Sequence, residues 1–170
     1  MIARLLASRR AANVAGLLAC VAMMGYAFYA ERVLGLEPCP LCMFQRLGVV
    51  IFGAVFLLAA LHDPKGAGGA RAYAALIGLA AAFPAYVAGR HVYIQGLPPG
   101  SVPTCGASLD YMLDVFPLLT VLKKVLFGAG ECQKVDWSLL GLSMPAWVLI
   151  AVVALGVLGV WANARRRPAA

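Results

Sequence analysis

Acidic residues are rare in this chain of 170 residues, which has seven Asp and Glu in total against 14 Lys and Arg. Charged residues make up 12% of the sequence and hydrophobic residues 63%. Soluble globular domains carry roughly 25% charged residues. The scarcity of charge therefore excludes an ordinary soluble protein and indicates a protein of the bilayer.

Several redox cofactors are excluded by what else is missing. The sequence has just two histidines, His62 and His91, and we expect no bis-histidine haem within the bilayer. Met43 stands where a C-x-x-C-H haem attachment site needs histidine. No glycine-rich dinucleotide fingerprint is present to hold a nicotinamide or a flavin.

Four apolar stretches are each long enough to cross a hydrocarbon core of ~30 Å, which takes about 20 helical residues. They cover approximately residues 11–30, 41–61, 72–89 and 143–162. The first is read as a retained anchor, because it is long and lacks a clear signal-peptide cleavage site. The sequence predicts an all-α membrane protein, with residues 1–170 forming a single membrane domain, a four-transmembrane-helix bundle with one long loop at 91–142.

The Lys and Arg residues that flank these stretches predict the orientation. One side carries eight of them with a single acid, Asp63, and the opposite side carries most of the acids. By the positive-inside rule the basic side is cytoplasmic, so both termini are cytoplasmic. The net charge of +7 then reflects topology, and we expect no nucleic-acid partner. The basic residues of the inner side are Arg4, Arg9, Arg10, Lys65, Arg71, Arg165, Arg166 and Arg167.

The long loop contains one amphipathic segment. Apolar residues recur at helical spacing from Asp110 to Phe127, with Pro117 interrupting the pattern. This segment is too short and too charged to span a membrane, and we expect a helix lying in the plane of the interface. A helix packed on the extramembrane part of the protein is the alternative.

Four cysteines form two pairs on the outer side. Cys39 and Cys42 are spaced C-x-x-C at a helix start, where the helix dipole favours a thiolate, and such pairs are usually redox-active. Cys105 and Cys132 lie in the long loop. In bacteria this side is the periplasm, where disulfides persist. The fifth cysteine, Cys20, lies among small apolar residues of the first stretch and is read as structural.

Two interpretations without redox activity also stay open for the cysteines. A static disulfide between Cys105 and Cys132 could simply staple the loop. A four-cysteine zinc site is disfavoured, since 26 residues (106–131) separate the second pair where a metal knuckle has two to four. We therefore expect no metal.

Arg46 and His91 are candidates for binding an electron acceptor. Arg46 lies one turn after Cys42 on the same helix face, within an apolar run, where a cation costs on the order of 3 kcal/mol near the bilayer centre and less near its edge. It can stabilise a thiolate and polarise an oxygen-bearing acceptor, or snorkel to the headgroups. A lipid-soluble acceptor fits, and a quinone is the remaining option. His91 could hydrogen-bond a quinone carbonyl or simply face interfacial water.

The order of several short motifs resembles a known family. P-C-P-L-C-M-F-Q-R is followed by R-H-V-Y-I-Q, P-T-C, G-E-C and W-S-L-L-G-L-S-M-P-A-W, arranged among four membrane stretches. This combination is similar to the bacterial disulfide bond formation protein B (DsbB) family over approximately residues 11–161. The resemblance implies a protein-dithiol:quinone oxidoreductase of the inner membrane, which reoxidises the periplasmic thiol oxidase DsbA and reduces ubiquinone or menaquinone.

The resemblance also implies roles for individual residues. Cys105 would be the sulfur attacked by the partner's thiolate, with Cys132 as its disulfide partner. Cys39 would receive the electrons from the loop pair, and Cys42 would sit against the quinone. Arg46, His91 and Met144 would line the quinone pocket, whereas Gln45 is assigned no role.

Two other functions stay open. A structural membrane protein with static loop disulfides would need no acceptor. An enzyme of the vitamin K epoxide reductase type also couples thiols to a quinone, but its C-x-x-C is expected near the end of a later helix.

Overall fold

The computed structural model describes residues 8–98, 100–101, 109–127 and 130–165. Within these ranges, four helices are long and apolar enough to cross a membrane, which confirms the predicted four-helix membrane fold. Cys105, Arg4, Arg166 and Arg167 lie outside the described residues. In chain order the elements are α1 (Arg9–Arg32), α2 (Pro40–His62), α3 (Ala67–Gln95), α4 (Leu109–Val115), α5 (Leu118–Phe127), a 3-10 turn (Gly130–Gln133), β1 (Ser138–Leu139), β2 (Leu142–Ser143) and α6 (Met144–Ala164).

Short polar residues and prolines begin the spanning helices. The Ser8 hydroxyl accepts from the Ala11 backbone at the start of α1. Cys39 is the N-cap of α2 and Ser143 that of α6, and each is followed by a proline in the first turn. Proline suits this position because the first N–H groups of a helix have no intrahelical partner. The C-x-x-C motif is thereby fixed at the start of α2, as its sequence predicts.

The membrane bundle is packed around Phe56. Helix α3 lies against α2 and α6, while α1 lies against α2. The Phe56 ring fills the space above two glycines, Gly16 of α1 and Gly159 of α6, and its centroid lies 4.7 Å from that of the tilted Phe52 ring. Small residues let membrane helices approach closely, and dispersion contacts then hold them together. Phe56 thus joins three helices at one point.

A buried amide pair joins the start of α1 to the end of α6. Asn13 donates to Asn163 at 3.2 Å, and Asn163 donates back at 2.8 Å and to the Gly159 carbonyl at 2.8 Å. Arg9 donates to the Arg165 carbonyl nearby. Each amide is satisfied internally, as polar groups within a bilayer must be. The sequence analysis did not predict this pair.

The amphipathic segment forms two short helices that pack on the outer ends of α2 and α3. The helix is interrupted at Phe116 and Pro117, as Pro117 predicts. One face is buried in a cluster with the membrane helices, and this packing agrees with the alternative of a packed helix. Leu118 and Leu119 at the start of α5 remain about 70% exposed, so placement at the membrane interface stays a prediction. The cluster comprises Leu41, Val87, Ile94, Met112, Val121, Val125 and Cys132.

A small antiparallel hairpin precedes α6 and was not predicted. Ser138 pairs with Ser143 and Leu139 with Leu142, across a two-residue turn of Leu140 and Gly141 with φ of 53° and 78°. Two central residues at positive φ are typical of the tightest hairpin turns. The Trp147 indole donates to the Leu139 carbonyl at 3.1 Å, which ties the hairpin to α6.

The Phe56 contact predicts a selective effect of adding one methyl group to α1. In Gly16→Ala the new Cβ would lie 2.7 Å from the Phe56 ring, so we expect a loss of about 1–3 kcal/mol of stability. Gly25→Ala on the same helix meets no atom within 4 Å and should be neutral or slightly stabilising. Unfolding in mixed detergent micelles measures both. Equal stabilities of the two variants would contradict the packing described, and Phe56→Leu should partly restore Gly16→Ala.

Candidate functional site

The start of α2 places the two cysteines of the C-x-x-C motif side by side. Their sulfur atoms are 3.1 Å apart, and the Cys42 backbone N–H points at Cys39 Sγ at 3.4 Å. Both are free thiols in the structure. A disulfide bond is about 2.05 Å long, so a shift of about 1 Å would close it. The motif therefore has the geometry of a pair that opens and closes without rearrangement of the helix.

Cys132 lies against Cys39, although the two are 93 positions apart (132 minus 39). The sulfur atoms of both and a ring nitrogen of His91 all lie within 4.8 Å of one another. The 3-10 turn carries Cys132, which is 1% exposed and belongs to the cluster formed by the loop helices and the ends of α2 and α3. The packing of the loop thus brings Cys132, one member of the second cysteine pair, to the first pair. The other member of the second pair, Cys105, lies outside the described residues.

His91 is buried between the cysteines and Gln45. Its Nε2 is 3.8 Å from Cys39 Sγ, and its Nδ1 is 2.9 Å from the Gln45 side-chain nitrogen. An amide nitrogen donates, so Nδ1 accepts here and the ring proton lies on Nε2, facing the sulfur. The alternative of a water-facing histidine is wrong, since His91 is 2% exposed.

Gln45 is a site residue to which the sequence analysis assigned no role. It is 5% exposed, and its partner within the described residues is His91. The spacing held the signal, because a residue three positions after Cys42 shares its helix face. Gln45 fixes the orientation of the imidazole that faces Cys39.

Arg46 is held at the end of α1. Its guanidinium forms an ion pair with Glu31, donates to the Ala27 carbonyl at 3.1 Å, and lies 5.4 Å from the Phe28 ring centroid. The side chain is 17% exposed, so it is anchored within the protein and does not extend freely to the headgroups. Glu31 was not among the candidates, although an acid at the end of an apolar helix near an arginine is a recognisable signal.

A cavity of about 710 Å³ opens beside these residues. Its lining includes every predicted site residue that the structure describes, together with Gln45 and Glu31. Apolar side chains from α1, α2 and α6 form much of the remaining wall, and Glu37, Gln95, Lys134 and Asp136 add polar groups. A pocket of this size, mostly apolar with a few converging polar groups, is typical of small-molecule sites. The predicted residues in the lining are Cys39, Cys42, Arg46, His91, Cys132 and Met144.

The expectation of a stabilised thiolate is wrong for Cys39 in this reduced arrangement. Its hydrogen bond with Cys132 and its burial raise the pKa of Cys39 to about 12, although contacts with Cys42, including the backbone N–H, act in the opposite direction. A buried position and a hydrogen bond made by the neutral thiol both favour the neutral form. Cys39 therefore holds its proton while all three thiols are reduced.

Cys20 lies away from this site. It is 3% exposed and packs in the membrane core near Gly53 of α2. Its surroundings are those of a small apolar side chain, in agreement with the structural interpretation.

Comparisons with known proteins point to one family. A family model described as disulfide bond formation protein DsbB matches residues 9–162. Proteins named disulfide bond formation protein B are 49% identical in Methylococcus capsulatus, over 95% of this chain and 99% of the relative, and 47% identical in Acinetobacter baumannii, over 87% and 88%. The relative from Chromohalobacter salexigens is 49% identical over 87% of both chains. No solved structure matches.

The contact between Cys39 and Cys132 predicts a shift in the titration of Cys39. In the fully reduced protein, Cys132→Ala removes the largest cause of the raised pKa, so the midpoint of the pH profile for Cys39 alkylation should fall from about 12 toward the ordinary value near 9. Alkylation followed by peptide mass spectrometry measures this midpoint, which does not depend on accessibility. Cys20→Ala is the control and should leave it unchanged. An unaltered midpoint in Cys132→Ala would contradict the assigned contact.

Proposed function

The chain belongs to the disulfide bond formation protein B family, and we propose that it is an inner-membrane oxidoreductase that takes electrons from a periplasmic dithiol oxidase of the DsbA type and delivers them to a membrane quinone. The observation that carries the proposal is the succession of three sulfur atoms, from Cys132 to Cys39 to Cys42, that leads from the loop to the cavity. The wider process it would sustain is disulfide formation in secreted proteins.

The first step of the proposed relay takes place at the loop pair. A thiolate of the partner attacks Cys105, breaks the Cys105–Cys132 disulfide and forms a mixed disulfide. The partner's second thiol then attacks its own sulfur in that mixed disulfide, which releases Cys105. The partner leaves as a disulfide, and the loop pair has gained two electrons and two protons.

The second step passes these electrons to the membrane pair. Cys132 lies within 4.8 Å of Cys39, so the Cys132 thiolate attacks Cys39 and Cys42 departs as the leaving sulfur. Cys105 then attacks Cys132, which restores the loop disulfide and leaves Cys39 and Cys42 reduced. The geometry supports this polarity because Cys132 lies beside Cys39, and Cys42 is the other sulfur of the pair, 3.1 Å from Cys39.

The cavity suits a quinone by its size and by its donors. A bound quinone takes up two electrons and two protons, and its carbonyl oxygens need hydrogen-bond donors. Arg46 supplies a fixed cation at the cavity wall, and His91 has a ring proton on the side that faces Cys39. Met144 adds apolar surface from α6. These residues would bind and orient an acceptor such as ubiquinone or menaquinone next to Cys42.

Topology supports the proposed compartment. The cysteine cluster lies where α2 begins and α3 ends, whereas Arg9, Lys65, Arg71 and Arg165 lie at the opposite ends of the spanning helices. By the positive-inside rule the sulfurs then face the periplasm and both termini face the cytoplasm. Disulfides persist in that compartment, so the loop pair would remain oxidised between turnovers.

Both rival functions are weaker on specific grounds. A static disulfide would give no reason for Cys132 to lie beside a second pair of free thiols and a buried histidine. The vitamin K epoxide reductase type is expected to place its C-x-x-C near the end of a later helix, whereas here the motif begins α2.

The relay predicts that the loop pair is required for turnover with a protein dithiol. In Cys105→Ala, quinone reduction by a reduced thioredoxin-like partner should fall to background, because the attacked disulfide is missing. Cys20→Ala keeps all four relay cysteines and should match the unmodified protein within error. Quinone absorbance measures both. Normal turnover in Cys105→Ala would exclude the relay.

A second prediction separates acceptor binding from exchange with the partner. Arg46→Ala removes a charged hydrogen-bond donor worth about 1.5–3 kcal/mol, so kcat/KM for quinone should fall roughly 10- to 150-fold. Mixed-disulfide formation with the partner should continue at its normal rate. Arg32→Ala is a matched control, since Arg32 also lies near the Phe28 ring but is exposed and outside the cavity lining. Unchanged quinone kinetics in Arg46→Ala would show that its role is only structural.

A further inference from the structure

The sulfur atoms beside the cavity also form a set of metal-ligating atoms. Cys39 Sγ, Cys132 Sγ and a ring nitrogen of His91 lie within 4.8 Å of one another, and Cys42 Sγ is 3.1 Å from Cys39 Sγ. His91 and Cys132 are almost fully buried. Four soft donors thus come from three separate parts of the chain, α2, α3 and the 3-10 turn.

We propose that the reduced protein binds one thiophilic divalent cation of the zinc type at Cys39, Cys132 and His91, with Cys42 as the fourth donor. A tetrahedral zinc site has Zn–S distances of about 2.3 Å and Zn–N distances of about 2.0 Å, which place its sulfurs ~3.8 Å apart and sulfur and nitrogen ~3.5 Å apart. The observed separation of 3.8 Å between Cys39 Sγ and His91 Nε2 is close to the sulfur–nitrogen distance of such a site. Small side-chain movements would complete the site.

The surroundings of His91 resemble the support that ligating histidines need. The ring nitrogen away from the sulfurs is held by the buried Gln45 amide at 2.9 Å, and half a turn of that amide would present its oxygen to Nδ1–H. Such a partner fixes the ring and raises the basicity of the ligating nitrogen. Thiolate and imidazole donors select zinc over magnesium or calcium, which prefer oxygen.

This site differs from the four-cysteine site that the sequence disfavours, because it includes His91 and does not require Cys105. It is also limited to one redox state, since a sulfur in a disulfide is no longer a thiolate ligand. The effect of the bound cation on the relay rests on the proposed function. A bound cation would prevent Cys39 and Cys132 from taking part in disulfide exchange and so block turnover.

The test is direct metal binding by the full-length protein in detergent. The protein is reduced, and the reductant is removed under anaerobic conditions. It is titrated with Zn²⁺ in competition with a chromogenic chelator. A parallel titration uses Co²⁺, whose thiolate charge-transfer bands report coordination by sulfur. We expect one ion per chain in the reduced protein and none in the oxidised protein. Equal binding in both states, or none in the reduced state, would overturn the proposal.

Variants test the ligand set. Cys39→Ser, Cys132→Ser and His91→Ala should each abolish stoichiometric binding, and Gln45→Leu should weaken it about 10-fold. Cys20→Ser and Cys105→Ser should bind as the unmodified protein does. Loss of binding in Cys105→Ser would identify a different cysteine set and overturn the assignment. Elution as a folded monodisperse species checks each variant, and retained binding in either folded Cys39→Ser or folded Cys132→Ser would also overturn it.

The metal titration needs neither a partner nor a quinone, so its outcome is distinct from that of the relay. A protein that reduces quinone but binds no zinc would refute this inference alone. A protein that binds zinc as described but does not reduce quinone would refute the relay and leave the site intact. Where both hold, Zn²⁺ should slow reoxidation of the reduced protein by quinone, and a chelator should restore the rate.

Discussion

The packing of the loop on the outer ends of α2 and α3 is the contact on which the site depends. Val121 and Val125 of α5 and Met112 of α4 are buried against Leu41 and other apolar residues of these helix ends. Each buried aliphatic side chain of this kind contributes about 1.5–3 kcal/mol relative to exposure. That apolar contact holds Cys132 beside Cys39 across a long stretch of sequence. Without it, nothing in the sequence would bring Cys132 within reach of Cys39.

A second constraint is the cost of polar groups in lipid, which the fold meets by pairing them. Arg46 is paired with Glu31, His91 with Gln45, and Asn13 with Asn163. The first two pairs line or approach the cavity at the outer end, and the third closes the bundle at the inner end. Because unsatisfied groups in hydrocarbon cost several kcal/mol, each pair also fixes the position of the helices that carry it. The same pairing that permits insertion therefore also orients the functional side chains.

The four spanning helices could be predicted from the sequence because the bilayer demands about 20 apolar residues for each. The face shared by Cys42 and Arg46 followed from helical spacing alone. The proximity of Cys132 to Cys39 could not be predicted from spacing, since it depends on how α4 and α5 pack. Gln45 was assigned no role, because an uncharged amide in a membrane helix gives no electrostatic reason to expect a partner. The hairpin was not predicted because Leu140 is an unusual residue for a turn that needs positive φ.

The raised pKa of Cys39 shows why the position of an electron acceptor matters in such a site. The crowding of Cys39 against Cys132, together with burial, favours the protonated form of Cys39 while the thiols are reduced. Removing two electrons from the pair at the cavity would relieve this crowding, since a disulfide carries no proton and no charge. A metal cation would relieve the same crowding without oxidation, by stabilising the cysteines as thiolates. The close approach of sulfurs that would allow rapid exchange would thus also favour soft cations, and an oxidising compartment that kept the pairs closed would protect the site from them.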